Sequence, residues 1–404
     1  MRATRRTGEG TRVLLVEPCF ENFGGYYRAF GMARGLTGQG FDVTLLLSNR
    51  GPGAWRLCTN VVSPNLRVVK LPRLEWNTWV NGRLLRGCLG LLYCLFGRYD
   101  LVHLFTIVQL ESLVPFLFLR IFMRWKKVVL DWDDYWTEQH TQLPSPSVYE
   151  HPLVRWYLRF CEYRVQALAV HGTATSEFLS EEFRRIGVQH VHKIINGVDT
   201  RQCDVVERGA ARKRLGLPAD ALIFLAFGNS YRRARTVYLF KLFGLIAQAE
   251  PSAQLHINID PHHLWQKYGA GETLPEGTME RMQHVGYLAG DALSNQLGAC
   301  DAVLFMMSDS PSEQACFPTR VGTYLNGERF IVMNDNKAEA CRILKEHDCA
   351  IIEADLPGLA ERTLAVLRSP AERRRMEDNV RSAKQALSWE NLTRGLAAFY
   401  DEIG

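Results

Sequence analysis

Short apolar runs alternate with longer segments whose apolar residues recur at helical spacing. The first run, 11–17 (TRVLLVE), is followed by a Gly-Gly pair, by helical spacing over 26–39 and by a second run, 41–47 (FDVTLLL). Nearly continuous apolar runs are typical of strands that are buried on both faces of a parallel sheet. The N-terminal segment therefore predicts a β-loop-α-β unit.

The alternation continues to about residue 199 and restarts at 222–228 (LIFLAFG), after a polar segment around 200–220. Repeated strand–helix alternation is the pattern of a doubly wound α/β sheet. The chain has 404 residues, which exceeds the roughly 250–300 residues that one core supports. We therefore predict two Rossmann-like domains, 1–199 and 200–387, with a C-terminal helix over 388–404 that packs back on the first.

Charge and cysteine content narrow the class of protein. The formal net charge is +5 and the basic residues are dispersed apart from short clusters, which argues against nucleic-acid binding. The ten cysteines show no CxxC pair and no zinc-finger spacing, which favours reduced thiols. The first apolar run is too short for a signal-peptide core. The expected localisation is cytoplasmic.

Two apolar stretches, 84–96 and 101–122, invite a membrane interpretation. Neither reaches the roughly 20 uninterrupted apolar residues of a membrane span, because charged and polar residues interrupt them. We expect buried helices. Peripheral contact with the inner face of a membrane is the alternative, since Trp, Phe and basic residues lie together near 122–127.

Several motifs, in order, resemble family 4 glycosyltransferases of the GT-B fold and together span nearly the whole chain. The run 13–18 with its Gly-Gly loop resembles the family's first strand and glycine loop, and 193–199 (KIINGVD) resembles its IPNGVD segment. Later matches are 227–235, 284–288, 317–327 and 388–390. The resemblance implies a GT-B fold with an interdomain cleft. It also implies a nucleotide-sugar donor held mainly by the C-terminal half and an acceptor held mainly by the N-terminal half.

The donor site implied by the resemblance lies at the loop after 222–228 and at the helix after Pro318. Glycosyl transfer requires that the leaving diphosphate be neutralised, and GT-B proteins commonly use cations and helix N-termini for this. We therefore expect no tightly bound cofactor and no requirement for a divalent metal; a solvated basic loop is the alternative interpretation of the arginines. The candidate donor-binding residues are Gly228, Asn229, Arg232, Arg233, Arg235, Gly286, Tyr287, Glu313, Arg320 and Thr323.

Two of these positions depart from the family's pattern. Thr323 stands where the donor helix has a carboxylate for the ribose hydroxyls, and Glu313 precedes it by ten residues where the common motif has eight. A single hydroxyl cannot accept from both ribose hydroxyls as a carboxylate can. Asn229 stands where the family has an arginine directly after the glycine, so the Arg232–Arg235 cluster would supply that charge.

Three carboxylates follow a predicted strand in 130–140 (LDWDDYWTEQH). Ligands of open α/β sheets bind at the carboxyl ends of the strands. Asp133 and Asp134 are the catalytic candidates, Asp133 because it resembles the position of a family histidine, and Asp131 is a candidate acceptor contact. A hydrogen-bonded loop that caps the next helix is the alternative. One acidic cluster without a second ligand set does not predict a metal site.

Further candidates come from other strand ends. His103 is a catalytic candidate, with a hydrogen-bonded core residue as the alternative. Gly24, Gly25, Tyr26 and Arg28 are candidates for the lining of the cleft, where Arg28 would meet an anionic group; a plain turn is the alternative.

The predicted function is a glycosyltransferase that moves a sugar from a nucleotide donor to a glycan, a glycolipid or a secondary metabolite, with retention and inversion both open. The first alternative is a sugar-nucleotide epimerase on the same fold. The second is a catalytically silent binding or scaffold partner with a decayed donor site, which Thr323 and Asn229 would explain.

Overall fold

The structure is a computed structural model that describes residues 10–51, 53–73, 78–141, 147–228 and 232–403. The chain divides into two compact units. Unit 1 comprises Met1–Gly197, Ala315–Phe317 and Trp389–Gly404, and unit 2 comprises Val198–Gln314 and Pro318–Ser388. Within the described ranges, no helix combines the length and the apolar character that crossing a membrane would require.

The secondary structure elements are numbered along the chain. The strands are β1 (Arg12–Phe20), β2 (Asp42–Ser48), β3 (Cys58–Ser63), β4 (Leu66–Leu71), β5 (Leu101–Leu104), β6 (Lys127–Trp132), β7 (His171–Ala174), β8 (His190–Lys193), β9 (Leu222–Ala226), β10 (Ala253–Ile257), β11 (Met282–His284), β12 (Ala302–Leu304), β13 (Ile331–Asn334) and β14 (Ala350–Glu353). The α-helices are α1 (Tyr26–Gly38), α2 (Thr78–Phe96), α3 (Leu110–Phe122), α4 (Pro152–Phe160), α5 (Glu177–Arg185), α6 (Arg208–Leu215), α7 (Arg233–Ala249), α8 (Pro261–Tyr268), α9 (Gly290–Ala299), α10 (Pro311–Gln314), α11 (Thr319–Asn326), α12 (Glu339–Glu346), α13 (Leu356–Arg368), α14 (Pro370–Ala386) and α15 (Trp389–Ile403).

Unit 1 is built on a sheet with the strand order β3-β4-β2-β1-β5-β6-β7-β8. Neighbouring strands are parallel except for the antiparallel pair of β3 and β4. The central strand β1 is buried over Val13–Glu17 because its run of apolar side chains packs against helices on both faces of the sheet. The carboxyl ends of β1, β5 and β6 therefore lie side by side.

The C-terminal helix α15 packs on α1 at two glycines. A Cβ at Gly31 would lie 2.2 Å from the ring of Trp389, and a Cβ at Gly35 would lie 2.3 Å from the Thr393 hydroxyl. The absence of side chains at these positions lets the two helices approach closely. Segment 315–317 also belongs to unit 1, where Ser176 Oγ donates to the Ala315 carbonyl at 2.8 Å.

Unit 2 is built on a parallel sheet with the strand order β11-β10-β9-β12-β13-β14. The order steps outward from β9 in both directions, so the loops after β9 and β12 leave from neighbouring strands at the carboxyl edge. The predicted α/β class with two Rossmann-like sheets is confirmed.

Candidate functional site

A buried ion pair ties the carboxyl end of β6 to α1. Arg28 Nε and Nη2 donate to the two carboxylate oxygens of Asp131 at 2.8 and 2.7 Å, and both side chains are at most 1% exposed. Arg28 Nη1 donates to the Ile194 carbonyl at 2.9 Å and to Asn196 Oδ1 at 3.2 Å. Arg28 and Asp131 therefore bind each other in the core of unit 1, where sequence analysis expected Arg28 to meet an anionic group and Asp131 to contact the acceptor.

His103 belongs to the same buried network. Its Nδ1 lies 2.6 Å from the Tyr400 hydroxyl and its Nε2 lies 2.9 Å from Thr173 Oγ1. Thr173 Oγ1 donates its one proton to Asp131 at 2.5 Å, so His103 Nε2 must be the donor to Thr173 and Nδ1 the acceptor from Tyr400. Burial lowers the pKa of His103 to about 4. His103 is thus a buried residue with hydrogen bonds at both ring nitrogens, which favours the core-residue alternative over the catalytic one.

The glycine loop after β1 encloses a carboxyl group that sequence analysis did not select. Glu17 is 1% exposed, accepts from the Cys19 backbone N–H at 2.9 Å through Oε1, and has no hydrogen-bond partner for Oε2 among the described residues. A Cβ at Gly25 would lie 2.7 Å from Oε2. Burial raises the pKa of Glu17 to about 7, and the Cys19 N–H opposes part of that rise.

The other predicted members of this loop have different surroundings. Gly24 has a φ of +53°, a left-handed conformation that favours glycine. Tyr26 is 7% exposed and its ring stacks on Phe30 with centroids 5.0 Å apart. The Tyr26 side chain therefore packs in the core of unit 1, and its place in the lining of the cleft stays a prediction.

Asp133 and Asp134 follow β6 and are half-buried. Burial raises the pKa of Asp133 well above its usual range, and the negative charges of Asp134, Asp131 and Glu17 raise it further. Carboxylates that share a site disfavour one another's ionisation, so Asp133 keeps its proton to a higher pH than an isolated aspartate does.

Glu162 fixes the course of the chain after these carboxylates. It is fully buried, accepts from the Trp136 and Thr137 backbone N–H groups at 2.6 and 2.7 Å, and also accepts from Trp132 Nε1 at 3.3 Å. Burial raises its pKa to about 7, although these donors oppose the rise. A short 3₁₀ helix, Trp136–Thr141, starts at these capped N–H groups.

In unit 2, Gly228 lies directly beneath the Arg320 guanidinium. A Cβ at position 228 would lie 2.1 Å from Arg320 Nη1, so a side chain at this position would have to displace the guanidinium. The guanidinium carbon of Arg320 lies 5.5 Å from the centroid of the Phe305 ring. Gly228 N donates to Asn258 Oδ1 at 3.0 Å, which holds the loop after β9 against the end of β10.

Arg232 and Arg235 meet at one carboxylate. Glu313 Oε1 lies 2.8 Å from Arg235 Nε and 3.3 Å from Arg232 Nη1, and its Oε2 accepts from the Ser308 backbone N–H at 2.6 Å. Glu313 is 1% exposed. A cavity of about 20 Å³ is lined by Arg235 and Arg320 together, so these two arginines border the same space.

The remaining donor candidates are not part of this cluster. Arg233 is exposed and donates to the Ala270 carbonyl at 2.7 Å, and Tyr287, which follows Gly286 after β11, is 82% exposed. Thr323 donates to Gln202 Oε1 at 2.9 Å and is 4% exposed. Its hydroxyl is therefore engaged within unit 2. Asn229 lies outside the described residues.

Sequence analysis missed Glu17, Glu162 and Gln202. The sequence does contain a signal for Glu17, because this carboxylate follows an otherwise apolar run and immediately precedes a proline. In the described ranges, no group of three or more His, Cys, Asp or Glu side chains is arranged to hold a metal ion.

Comparisons with known proteins bear on the class of activity. Residues 24–197 match the model of the glycosyl transferase 4-like domain. A search of curated protein sequences finds no significant match.

Three solved structures have a similar fold along nearly the whole chain. Sucrose-phosphate synthase from Thermosynechococcus elongatus superimposes with a TM-score of 0.70 at 17% identity, over 97% of this chain and 99% of that chain. Anabaena HepE, in complex with UDP and glucose, superimposes with a TM-score of 0.64 at 14% identity, over 97% of this chain and 100% of that chain. WaaG, a glycosyltransferase involved in lipopolysaccharide biosynthesis, superimposes with a TM-score of 0.62 at 12% identity, over 95% of this chain and 98% of that chain.

At these identities the solved structures establish the fold, and the match to the domain model indicates glycosyl transfer for the segment that it covers. The chain has the GT-B fold of these glycosyltransferases, and its residues 24–197 match a glycosyl transferase 4-like domain.

Proposed function

We propose that this glycosyltransferase takes its sugar from a nucleoside-diphosphate donor bound at the carboxyl edge of the unit 2 sheet. The observation that carries the proposal is the Arg320 guanidinium held over Gly228. A loop glycine beside a guanidinium lets the backbone and the charge reach the same phosphate. The complex of Anabaena HepE with UDP and glucose, on a similar fold, supports this choice of donor.

The local charge balance suits a diphosphate. Arg232, Arg235 and Arg320 carry three positive charges and Glu313 carries one negative charge, which leaves a net +2 at the loop. Helix α11 begins at Thr319, next to Arg320, and its N-terminal dipole adds positive potential there. These groups would neutralise the leaving diphosphate without a divalent metal, so we propose that none is required.

For the acceptor we propose the carboxyl edge of the unit 1 sheet, with Asp133 and Asp134 as the contacting residues. They are half-buried and follow a strand end, whereas Asp131 is held by Arg28. A carboxylate in this position can accept the proton that an acceptor hydroxyl loses. Because the pKa of Asp133 is raised, it is a stronger base than an ordinary aspartate once ionised.

We further propose a cytoplasmic location with peripheral contact at the inner face of a membrane. All ten cysteines are free thiols, which fits a reducing compartment. Unit 1 exposes large apolar side chains at the C-terminal ends of α2 and α3 and in the turn after α3, namely Phe96, Phe122 and Trp125, which are 63–76% exposed. Arg98 and Arg124 are exposed beside them. This mixture suits an anionic lipid surface.

The donor assignment is tested by thermal shift with UDP, GDP, CDP, dTDP and ADP, each with magnesium and with EDTA. We expect one nucleotide to stabilise the wild type by about 2–3 kcal/mol when it is present at about 100 times its dissociation constant. Arg320→Ala should abolish the shift. Arg233→Ala is the matched control, because Arg233 binds the Ala270 carbonyl instead, and it should retain the shift.

Loss of the shift in EDTA would contradict metal independence, and an equal shift in Arg320→Ala would contradict the donor site. Once the nucleotide base of the donor is known, the fate of the donor sugar is measured with and without added acceptors. This measurement separates glycosyl transfer from epimerisation. Conversion of the donor sugar in the absence of any acceptor would favour the epimerase alternative.

A further inference from the structure

Three neighbouring strands of unit 1, β1, β2 and β4, end at the same level on the carboxyl edge of the sheet. Phe20 at the end of β1 is in register with Ser48 at the end of β2, and Ser48 is in register with Leu71 at the end of β4. The Ser48 hydroxyl donates to the Pro18 carbonyl at 2.7 Å, which ties the ends of β1 and β2 together. The segments that follow these strands therefore begin at one continuous part of the edge.

Two arginines follow these strand ends and contact the same aromatic ring. Arg50 comes two residues after Ser48, and Arg73 comes two residues after Leu71. The guanidinium carbons of Arg50 and Arg73 lie 5.5 and 5.1 Å from the centroid of the Phe20 ring. Arg50 is exposed and Arg73 is half-buried. The edge of the sheet therefore carries two positive charges around one ring.

The charges of these two arginines are not balanced by nearby carboxylates. Within the described part of the chain, neither guanidinium forms an ion pair, and Glu21, directly after Phe20, pairs with Lys70 instead. A contact with an aromatic ring uses none of the N–H donors of a guanidinium. Like charges that share a site repel each other, so binding of an anion between them is favourable. The pair therefore has both the charge and the free donors for an anionic ligand.

Hydrogen bonds fix the backbone at both arginines. Asn49 is 8% exposed, and its side chain accepts from the Arg50 backbone N–H at 2.8 Å and donates to the Arg56 carbonyl at 3.0 Å. The Arg73 backbone N–H donates to the Ala54 carbonyl at 2.6 Å, which joins the loop after β2 to the end of β4. A site whose backbone is ordered beforehand loses less entropy when a ligand binds.

The same loop adds a third cation and an exposed aromatic ring. The guanidinium carbon of Arg56 lies 4.7 Å from the centroid of the Trp55 ring, and Trp55 is 63% exposed. Arg56 also forms no ion pair with any residue that the structure describes. The positive potential at this part of the edge is therefore larger than that of Arg50 and Arg73 alone.

One ligand can reach both this site and the proposed acceptor residues. Only β5 separates β1 from β6, and neighbouring strands are about 4.8 Å apart, so the ends of β1 and β6 are about 10 Å apart. Burial and Glu17 raise the pKa of the Cys19 thiol, and the charge of Asp133 raises it further, which agrees with Asp133 lying near the end of β1. This separation suits a monosaccharide or a disaccharide.

We propose that Arg50 and Arg73 bind an anionic group of the acceptor, a phosphate or a carboxylate, while the hydroxyl to be glycosylated lies at Asp133 and Asp134. The acceptor is then an acidic sugar or glycan. This inference rests on the proposed role of the unit 1 edge in acceptor binding, and it names the chemical class of that acceptor. Guanidinium groups bind both kinds of anion through paired N–H···O hydrogen bonds.

Calorimetry on the full chain tests the site with three probes that share a hexose ring. Glucose 6-phosphate carries a phosphate, glucuronate carries a carboxylate, and glucose carries no charge. We expect saturable binding of at least one acidic sugar with a dissociation constant of about 1 mM or less, the upper range of usual substrate constants. Glucose should not bind in this range. The acidic sugar that binds more tightly identifies the anion.

Arg50→Gln and Arg73→Gln should each weaken the binding of the acidic sugar by about tenfold, as loss of a hydrogen bond to a charged group does. Neither change breaks an ion pair among the described residues, so the unfolding temperature should stay close to that of the wild type. The matched control is Arg124→Gln. Arg124 is an exposed arginine in the turn before β6, at the amino edge of the same sheet, and the change should leave binding unaltered.

Arg320→Ala separates this site from the proposed donor site, because a sugar phosphate can also bind to the arginines of unit 2. The affinity of the acidic sugar should be the same in this variant as in the wild type. Loss of binding in Arg320→Ala, with wild-type affinity in Arg50→Gln and Arg73→Gln, would place the anion in unit 2 and overturn the proposal.

Equal binding of glucose and the acidic sugars would also overturn the proposal, as would no binding of either acidic sugar up to about 10 mM, well above usual substrate constants. The thermal shift with nucleotides is read on the same samples. A nucleotide shift without acidic sugar binding rejects the acceptor class and leaves the donor assignment standing. Acidic sugar binding that depends on Arg50 and Arg73, without any nucleotide shift, has the opposite meaning.

Discussion

The guanidinium of Arg28 and the carboxylate of Asp131 form a two-point ion pair inside unit 1, with hydrogen bonds of 2.8 and 2.7 Å. Arg28 Nη1 donates to the Ile194 carbonyl and to the Asn196 side chain. Tyr400, His103 and Thr173 relay hydrogen bonds to the same carboxylate. The pair therefore joins α1, β6, β7 and α15 beneath the proposed acceptor residues.

Asp131→Asn should destabilise unit 1 strongly, because Arg28 would keep its charge in the core without a counter-ion. Breaking a buried pair in this way costs about 3–5 kcal/mol. Urea unfolding followed by circular dichroism measures the change. The matched control is Glu177→Gln, which removes an ion pair to Arg184 whose side chains are 44% and 52% exposed. That change should cost less than about 1 kcal/mol; equal costs for the two variants would contradict the structural role of Arg28.

Glu17 predicts how stability depends on pH. Its pKa is raised from 4.5 to about 7 by burial, so between these values the folded state holds a proton that the unfolded state has released. The folded state therefore binds more protons in this window, and stability should fall as pH rises through it, by at most about 3 kcal/mol.

Glu17→Gln removes the titrating group and keeps an oxygen for the Cys19 N–H. The variant should be more stable than the wild type above pH ~7, and its stability should vary less between the two pKa values. Unfolding free energies at a series of pH values measure both effects. Glu21→Gln, at an exposed position directly after β1, is the control and should keep the wild-type slope. An unchanged slope in Glu17→Gln would show that Glu17 is not the group responsible.

Gly25→Ala tests the contact between the glycine loop and Glu17. The backbone at Gly25 is right-handed helical, with a φ of −58°, so alanine fits the conformation. The new methyl group would lie 2.7 Å from Glu17 Oε2, and overpacking of this kind costs about 1–3 kcal/mol. Thermal unfolding should show the loss. Gly38→Ala, with nothing within 4 Å of the added Cβ, should be neutral or slightly stabilising.

The double variant Glu17→Ala with Gly25→Ala separates this contact from other effects. Removing the Glu17 carboxyl group makes room for the methyl group, so we expect a coupling energy of at least about 1 kcal/mol in the double-mutant cycle. Additive losses would mean that the alanine at position 25 clashes with something other than Glu17.

The sequence pattern predicts the sheets well because strands buried on both faces leave an uninterrupted apolar run, as in Val13–Val16. It predicts less of the site, because partners come from distant segments. Arg28 and Asp131 are 103 residues apart, and no feature of the sequence around Arg28 indicates that it binds a core carboxylate rather than a ligand. Thr323 and Gln202 are 121 residues apart. A polar residue at a strand end therefore predicts that a polar side chain lies near the site. Whether a ligand can reach that side chain depends on how the side chain packs in the folded unit.

Glu313 offers the last test, and it rests on the proposed donor site. In the structure its carboxylate is the anion shared by Arg232 and Arg235, two of the three arginines assigned to the diphosphate. Glu313→Gln leaves these guanidinium groups without their counter-ion, so the nucleotide-free variant should be less stable than the wild type, by about 3–5 kcal/mol for a buried pair. A bound diphosphate would supply the missing negative charge. The thermal shift produced by the stabilising nucleotide should therefore be larger in Glu313→Gln than in the wild type, because ligand binding and stability are linked.

Glu272→Gln is the matched control for this experiment. Glu272 pairs with Lys241 and Arg233 in the same unit, and its side chain is 29% exposed. Its nucleotide shift should equal that of the wild type. A smaller shift in Glu313→Gln would mean that Glu313 contacts the donor favourably, and an unchanged shift would mean that Arg232 and Arg235 do not meet the diphosphate, which would leave Arg320 as the phosphate ligand in unit 2.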